Sequence, residues 1–177
     1  MDSVFAMNKD NSPSFQQLFS SPEFQDHFTK RAGAHADIGI EFVASDRAVC
    51  MRIPFAEKLT RSTANRSIHA GAIMTAMDSA MGLAVMKEMT EPSSLATLEL
   101  RYDELRCPQA DSPIEVYAEC EQITEDIAYL VATANEPGVS SPFARAVGRF
   151  ILTGAPSGFL EQALQMMKSE APGLGVE

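Results

Sequence analysis

Asp78 is the residue of this chain whose setting most demands a chemical explanation. From Ala70 to Met86 the sequence is almost entirely Ala, Gly, Met, Ile, Leu and Val, and Asp78 is its only charged residue. An ionised carboxylate in an apolar helix costs on the order of several kcal/mol unless it is paired or hydrogen-bonded. A carboxylate held there can attack a carbonyl carbon or take a proton from water. The competing reading is that Asp78 faces solvent or a subunit interface and bonds a neighbouring arginine or backbone amide. Just upstream, His69-Ala70-Gly71 sets a titratable ring and two small residues where the helix must begin. Unpaired N–H groups and the positive end of the helix dipole gather at such a start. They stabilise negative charge developing on a carbonyl oxygen, and small residues let a ligand approach the backbone. A lone histidine beside a helix is, however, more often a cap or a packing residue.

Several elements must position these groups. The stretch carrying Asp78 reads as a buried helix; as a membrane span it is short, rich in Ala and Gly, and interrupted by an acid. Residues 13–32 read as one or two short helices, with Ser12-Pro13 and Ser21-Pro22 as cap and first-turn pairs and Gly33 at the stop, forming a lid or flank. The period changes from Ile38. Val49, Met51, Ile53 and Phe55 alternate with Cys50, Arg52 and Pro54, as in a strand with one buried face. After the helix, Leu98, Leu100 and Tyr102 alternate with Thr97, Glu99, Arg101 and Asp103. A turn follows near Pro108 to Pro113, then strands from Ile114 to Glu121, Ile127 to Ala134 and Phe143 to Leu152. Ser157 is placed to cap a last amphipathic helix bearing Phe159, Leu160, Ala163, Leu164 and Met167. The expected class is α+β, an antiparallel sheet wrapped around a central helix, because hairpin-length connections favour antiparallel neighbours and an apolar helix needs cover. The expected organisation is a helical flank over 1–36, one domain over 37–154 and a C-terminal helix over 155–177.

Composition narrows the partners. With 45% hydrophobic and 21% charged residues among 177, the chain can bury a core and should fold. A net charge of −10 argues against nucleic acid and anionic membranes, which need a concentrated basic surface. A small anionic ligand stays possible, since a few arginines at a rim outweigh a distant negative average. The N-terminus lacks a basic start and an unbroken apolar run, so no secretory signal is expected and the cytoplasm is the expected location. Cys50, Cys107 and Cys120 share no metal or redox spacing, and the sequence holds no Gly-x-Ser-x-Gly elbow or phosphate loop. No metal or cofactor is expected.

Together, His69-Ala70-Gly71-Ala72-Ile73 and Asp78-Ser79-Ala80-Met81-Gly82 resemble the signature of hotdog-fold thioesterases of the phenylacetate-degradation type, which pair His-Gly-Gly with an Asp nine residues after the His. The likeness continues through Ala96 to Arg106 and through Pro142 to Phe150. This resemblance implies a hotdog fold and hydrolysis of acyl-CoA thioesters, with coenzyme A as part of the substrate. By position it implies Asp78 as nucleophile or general base, the amides of Ala70 and Gly71 as oxyanion donors, Thr97 as the residue orienting water, and His69 as a positioning group. It also implies a homodimer, or a tetramer, whose site takes the carboxylate from one subunit and the helix start from the other. Three departures stand out: Ala70 replaces the first Gly, Thr63 replaces an Asn and leaves Asn65 as the nearby candidate, and Cys107 is an extra residue expected to bulge the strand end. Arg66, Arg101 and Arg106 are candidate partners for the CoA phosphates, with Arg61, Arg145 and Arg149 behind them. A hotdog hydratase or dehydratase, and a non-catalytic acyl-CoA-binding protein, are the alternatives.

Overall fold

The computed structural model describes residues 22–30, 33–43, 45, 48–89, 93–155, 161 and 165. The period-two segments form strands β1 (Glu41–Val43), β2 (Val49–Ile53), β3 (Leu95–Glu104), β4 (Ile114–Thr124), β5 (Ile127–Asn135) and β6 (Ala144–Leu152). They make one six-stranded sheet in the order β1-β2-β4-β5-β6-β3, with every pairing antiparallel. β1 and the ten-residue β3 are its edges. Two helices, α1 (Pro22–Lys30) and α2 (Ala34–Ile38), precede the sheet, and α3 (Ala70–Glu88) lies between β2 and β3 in the chain. This is the hotdog arrangement, a sheet curled around one long helix.

The sequence explains how the helix fits. Ile73, Ala76, Met77, Ala80, Met81, Leu83, Ala84 and Val85 of α3 are buried, and the helix packs chiefly on β4, β5 and β2. Full burial of a Met or Ile contributes about 1.5–3 kcal/mol each. The facing strands supply small residues: Ala128, Ala132, Ala134, Ala144 and Ala146 are all buried. At Gly148 of β6 a Cβ would lie 2.8 Å from Met81 Sδ, so glycine there permits the close approach. The cover is incomplete. Gly71 and Met74 are exposed, and Asp78 and Gly82 half-buried, along one stripe of the helix that the sheet leaves open.

Two details depart from the sequence reading. Strict alternation sets Thr97 on the face opposite Leu100 and Tyr102. Instead, Thr97 pairs with Phe150 and Glu99 with Arg149, so Leu98 is an extra residue on β3 and its side chain is 55% exposed. This bulge brings Thr97 onto the same face as Leu100 and Tyr102. The bulge expected near Cys107 is absent, because β3 ends at Glu104 and Cys107 lies in the following loop. Pro22 opens α1 as expected, whereas the Ser12-Pro13 cap and the helix face from Phe159 to Met167 fall outside the described residues. No helix among the described residues is long and apolar enough to cross a membrane.

Candidate active site

The loop between β2 and α3 delivers the helix start. Asn65 Oδ1 accepts from the Ser67 amide at 3.1 Å and its hydroxyl at 2.7 Å, while the Asn65 amide donates to Ser62 Oγ at 2.9 Å. Ser67 is buried by this turn, and the next bonds run from Arg61 N–H to Ser67 O and from His69 N–H to Leu59 O. Asn65 thus spends its carbonyl oxygen inside the loop, with its amide nitrogen 3.8 Å from Cys107 Sγ.

His69 caps α3. Its backbone is extended and its Nδ1 accepts the Gly71 amide hydrogen at 3.0 Å. That bond requires an unprotonated Nδ1, leaving the ring hydrogen of the neutral form on Nε2. The His69 carbonyl takes the amides of Ala72 and Ile73. Of the first-turn donors, Gly71 is therefore engaged by the cap, and among the described residues the Ala70 amide makes no hydrogen bond.

Asp78 lies two turns further along, on the open stripe. Thr97 Oγ1 donates to Asp78 Oδ1 at 2.8 Å, a contact that exists because the Leu98 bulge turns Thr97 toward the helix. On the other side, His35 of α2 sits with Nε2 2.6 Å from Ser79 Oγ. Burial lowers the His35 pKa below the ordinary histidine value, and the Asp78 charge works in the opposite direction. His35 escapes motif reading, because a histidine among small residues ahead of the sheet carries no spacing signal, and Ser79 stands inside the quoted motif without an assigned role. Eight residues of helix separate Ala70 from Asp78, roughly 12 Å along the axis at 1.5 Å per residue. One chain cannot bring its own Ala70 amide and its own Asp78 to a single carbonyl group.

Of the six candidate phosphate ligands, five are in ion pairs, and Arg145 forms none among the described residues. Arg66 stacks on Phe55 and binds Asp111 (2.6 Å) and Glu57 (3.1 Å), and Arg101 binds Asp103 at 3.1 Å. These pairs are solvent-exposed and exchange readily. Arg61 pairs with Glu104 and Arg149 with Glu99. Arg106 differs, because its two guanidinium nitrogens grip both oxygens of Glu136 at 2.7 and 2.6 Å and Glu136 is buried. A phosphate that drew Arg106 away would cost that buried carboxylate its principal partner. No group of three or more His, Cys, Asp or Glu is arranged to hold a metal among the described residues.

Comparison with known proteins agrees with this architecture. No family model matches the chain. It is 32% identical over 110 residues to a "putative esterase" of Halobacterium salinarum, across 60% of this chain and 73% of that one. A thioesterase-family protein from Silicibacter pomeroyi has a TM-score of 0.66 at 21% identity, covering 80% of this chain and all of that one. The PaaI protein from the phenylacetic acid degradation operon of E. coli gives 0.63 at 14% identity, covering 81% and 98%. A Streptococcus mutans protein solved with acetyl-CoA bound gives 0.56 at 16% identity, covering 67% and 91%. The structural likenesses establish the hotdog fold, and the chain belongs to the same sequence family as the H. salinarum putative esterase.

Proposed function

We propose that this protein hydrolyses acyl-CoA thioesters as a homodimer, with Asp78 of one copy and the Ala70 amide of the other acting on the same thioester. The carrying observation is Asp78 itself: a carboxylate on the open stripe of α3, fixed by a Thr97 hydroxyl that a strand bulge turns toward it. Asp78 takes a proton from water as the water oxygen attacks the thioester carbon, or attacks that carbon directly to form an anhydride that water then opens. In either route the carbonyl oxygen becomes an oxyanion facing the Ala70 N–H, and the C–S bond breaks to release CoA thiolate. His69 holds the helix start open for that role by occupying the Gly71 amide. The chemistry calls for no metal or redox cofactor.

The second copy is supported by distance and by surface. The two reactive groups of one chain are too far apart to share a substrate. Beside Asp78 run the outer edge of β3, exposed Leu98 and exposed Met74, and a long edge strand with apolar neighbours favours pairing. Coenzyme A as the carrier is supported by the acetyl-CoA held by the S. mutans neighbour. Of the proposed phosphate ligands, Arg66 and Arg101 can release their surface carboxylates at little cost, and Asn65 contributes by shaping the loop between them and the helix start.

Free-thiol release from a panel of acyl-CoAs, measured for wild type and Asp78→Asn beside the mass of the assembly in solution, tests the reading. Turnover should fall by orders of magnitude in the variant with fold and dimer intact. Near wild-type turnover, or a monomer that hydrolyses at full rate, would remove the assignment. A substrate consumed with its thioester intact would point to hydration instead.

A further inference from the structure

Consecutive residues of α3 are tethered from different sides: Asp78 by Thr97 of β3 and Ser79 by His35 of α2. We propose that His35 is a positioning residue for Asp78, fixing the rotation of α3 through Ser79 and so making the N-terminal flank a working part of the active site. This inference rests on the thioesterase reading above.

The packing of α3 explains the need. Its sheet-facing side carries Ala76, Ala80 and Ala84, and the opposing strands present Ala132, Ala134, Ala144, Ala146 and Gly148. Between these small residues Ile73, Met77, Met81 and Leu83 fill the core, and the flexible methionines can repack after a small rotation of the helix, whereas a specific polar pair fixes register. A carboxylate at the helix surface lies about 5–6 Å from the axis, so a turn of about 10° moves it by about 1 Å. Displacements of that size cost about a hundredfold in rate when they disturb the attack geometry. Two tethers on residues about 100° apart around the helix resist rotation in both senses.

His35 is itself well anchored. Its ring stacks on Phe28 of α1 at 4.6 Å and 25°, and Phe28 meets Phe42 of β1 edge-on at 5.5 Å. Phe24 of α1 also packs edge-on against Phe42, at 6.3 Å. The flank is therefore keyed to the sheet at one end and to Ser79 at the other. Burial holds the ring toward its neutral form, in which Nε2 either donates to or accepts from the serine hydroxyl. The nearby charge that acts on the ring is that of Asp78.

The test uses the full chain and thiol release from an acyl-CoA that the wild type hydrolyses. Kinetics are measured for His35→Ala, His35→Gln, Ser79→Ala and the His35→Ala/Ser79→Ala pair, beside Asp78→Asn. His35→Ala and Ser79→Ala should each lower kcat by about tenfold to a hundredfold with little change in KM. The double variant should be no worse than either single one, and His35→Gln, whose amide reaches a similar distance, should recover most of the loss. Unchanged kcat in the single variants, losses that multiply in the double variant, or a rise confined to KM would overturn the proposal. If His35→Ala does not fold, Ser79→Ala, which removes one oxygen, decides alone. Full turnover by Asp78→Asn, or no thiol release by the wild type, defeats the thioesterase reading and this inference together. A crippled Asp78→Asn beside an unaffected Ser79→Ala defeats this inference only.

Discussion

Replacing Arg106 with Ala should destabilise the protein by about 3 kcal/mol at neutral pH while leaving acyl-CoA affinity unchanged. Glu136 is 2% exposed and receives both guanidinium nitrogens of Arg106 at 2.7 and 2.6 Å, plus the Gln109 amide at 2.9 Å. The guanidinium does most to hold its pKa at about 2, burial opposes, and the Gln109 amide assists. A fall from the ordinary 4.5 to about 2 is worth about 3 kcal/mol by linkage. Because the folded-state value is depressed, that stability is present above pH 4.5 and is lost as pH falls through about 2. Without the arginine the buried carboxylate keeps only backbone amides, those of Gln109 and of Glu136 itself, against its desolvation, close to the situation in which broken buried pairs cost about 3–5 kcal/mol. Urea unfolding followed by circular dichroism is the assay, since the chain has no Trp to report by fluorescence. Wild type should lead the variant by about 3 kcal/mol at pH 7, with the gap closing as pH drops from 4.5 toward 2. Stabilities within about 0.5 kcal/mol at pH 7, together with a raised KM for acyl-CoA, would refute the reasoning and return Arg106 to the phosphate site.

Other perturbations follow from the same geometry. Thr97→Ala removes a hydrogen bond to a charged group, worth about 1.5–3 kcal/mol, so kcat should drop about tenfold to a hundredfold with an unchanged dichroism spectrum; full turnover would leave Thr97 without a role. Deleting Leu98 removes the bulge and turns Thr97 away from Asp78, so activity should fall at least as far as in Thr97→Ala while the sheet still forms. An active deletion variant would show that the bulge does not set the site. Gly148→Ala puts a methyl group 2.8 Å from Met81 Sδ and should lower stability by about 1–3 kcal/mol, toward the small end because Met can move; thermal melting at or above the wild-type temperature would count against the close-packing argument.

The strands and the central helix were legible because their signals are periodic. Val49 to Ile53, Ile114 to Glu121 and Ile127 to Ala134 alternate as a half-buried sheet must, and α3 is almost wholly apolar from Ala70 to Met86, with Asp78 its only charge there. Thr97 entered the candidate site only through family resemblance, as a residue orienting water, and its bond to Asp78 appears only in the structure. Alternation alone puts Thr97 on the wrong face, since a one-residue bulge inverts the pattern without altering composition. His35 was invisible for another reason: its partner Ser79 is 44 residues away, and nothing in a run of small residues announces a long-range pair. For the arginines, sequence shows the charge but not the carboxylates that pair with it. Arg106 and Glu136 are 30 residues apart and meet only when β3 and β5 have been placed.

The half-burial of Asp78 resolves the tension that made it conspicuous. In one chain it stands on an open stripe with one hydroxyl partner, so its charge is not confined in an apolar interior and the penalty for carrying it is small. Two cavities, of about 310 Å³ beside Ala84 and Cys120 and about 220 Å³ by Tyr129 and Val147 on the sheet, both lie away from it. The proposed second copy would supply cover for the apolar stripe, a partner for the β3 edge and an amide within reach of the carboxylate. Folding of each chain then proceeds without a costly buried acid. Desolvation, which strengthens the electrostatics of the reaction, arrives only when the copies meet.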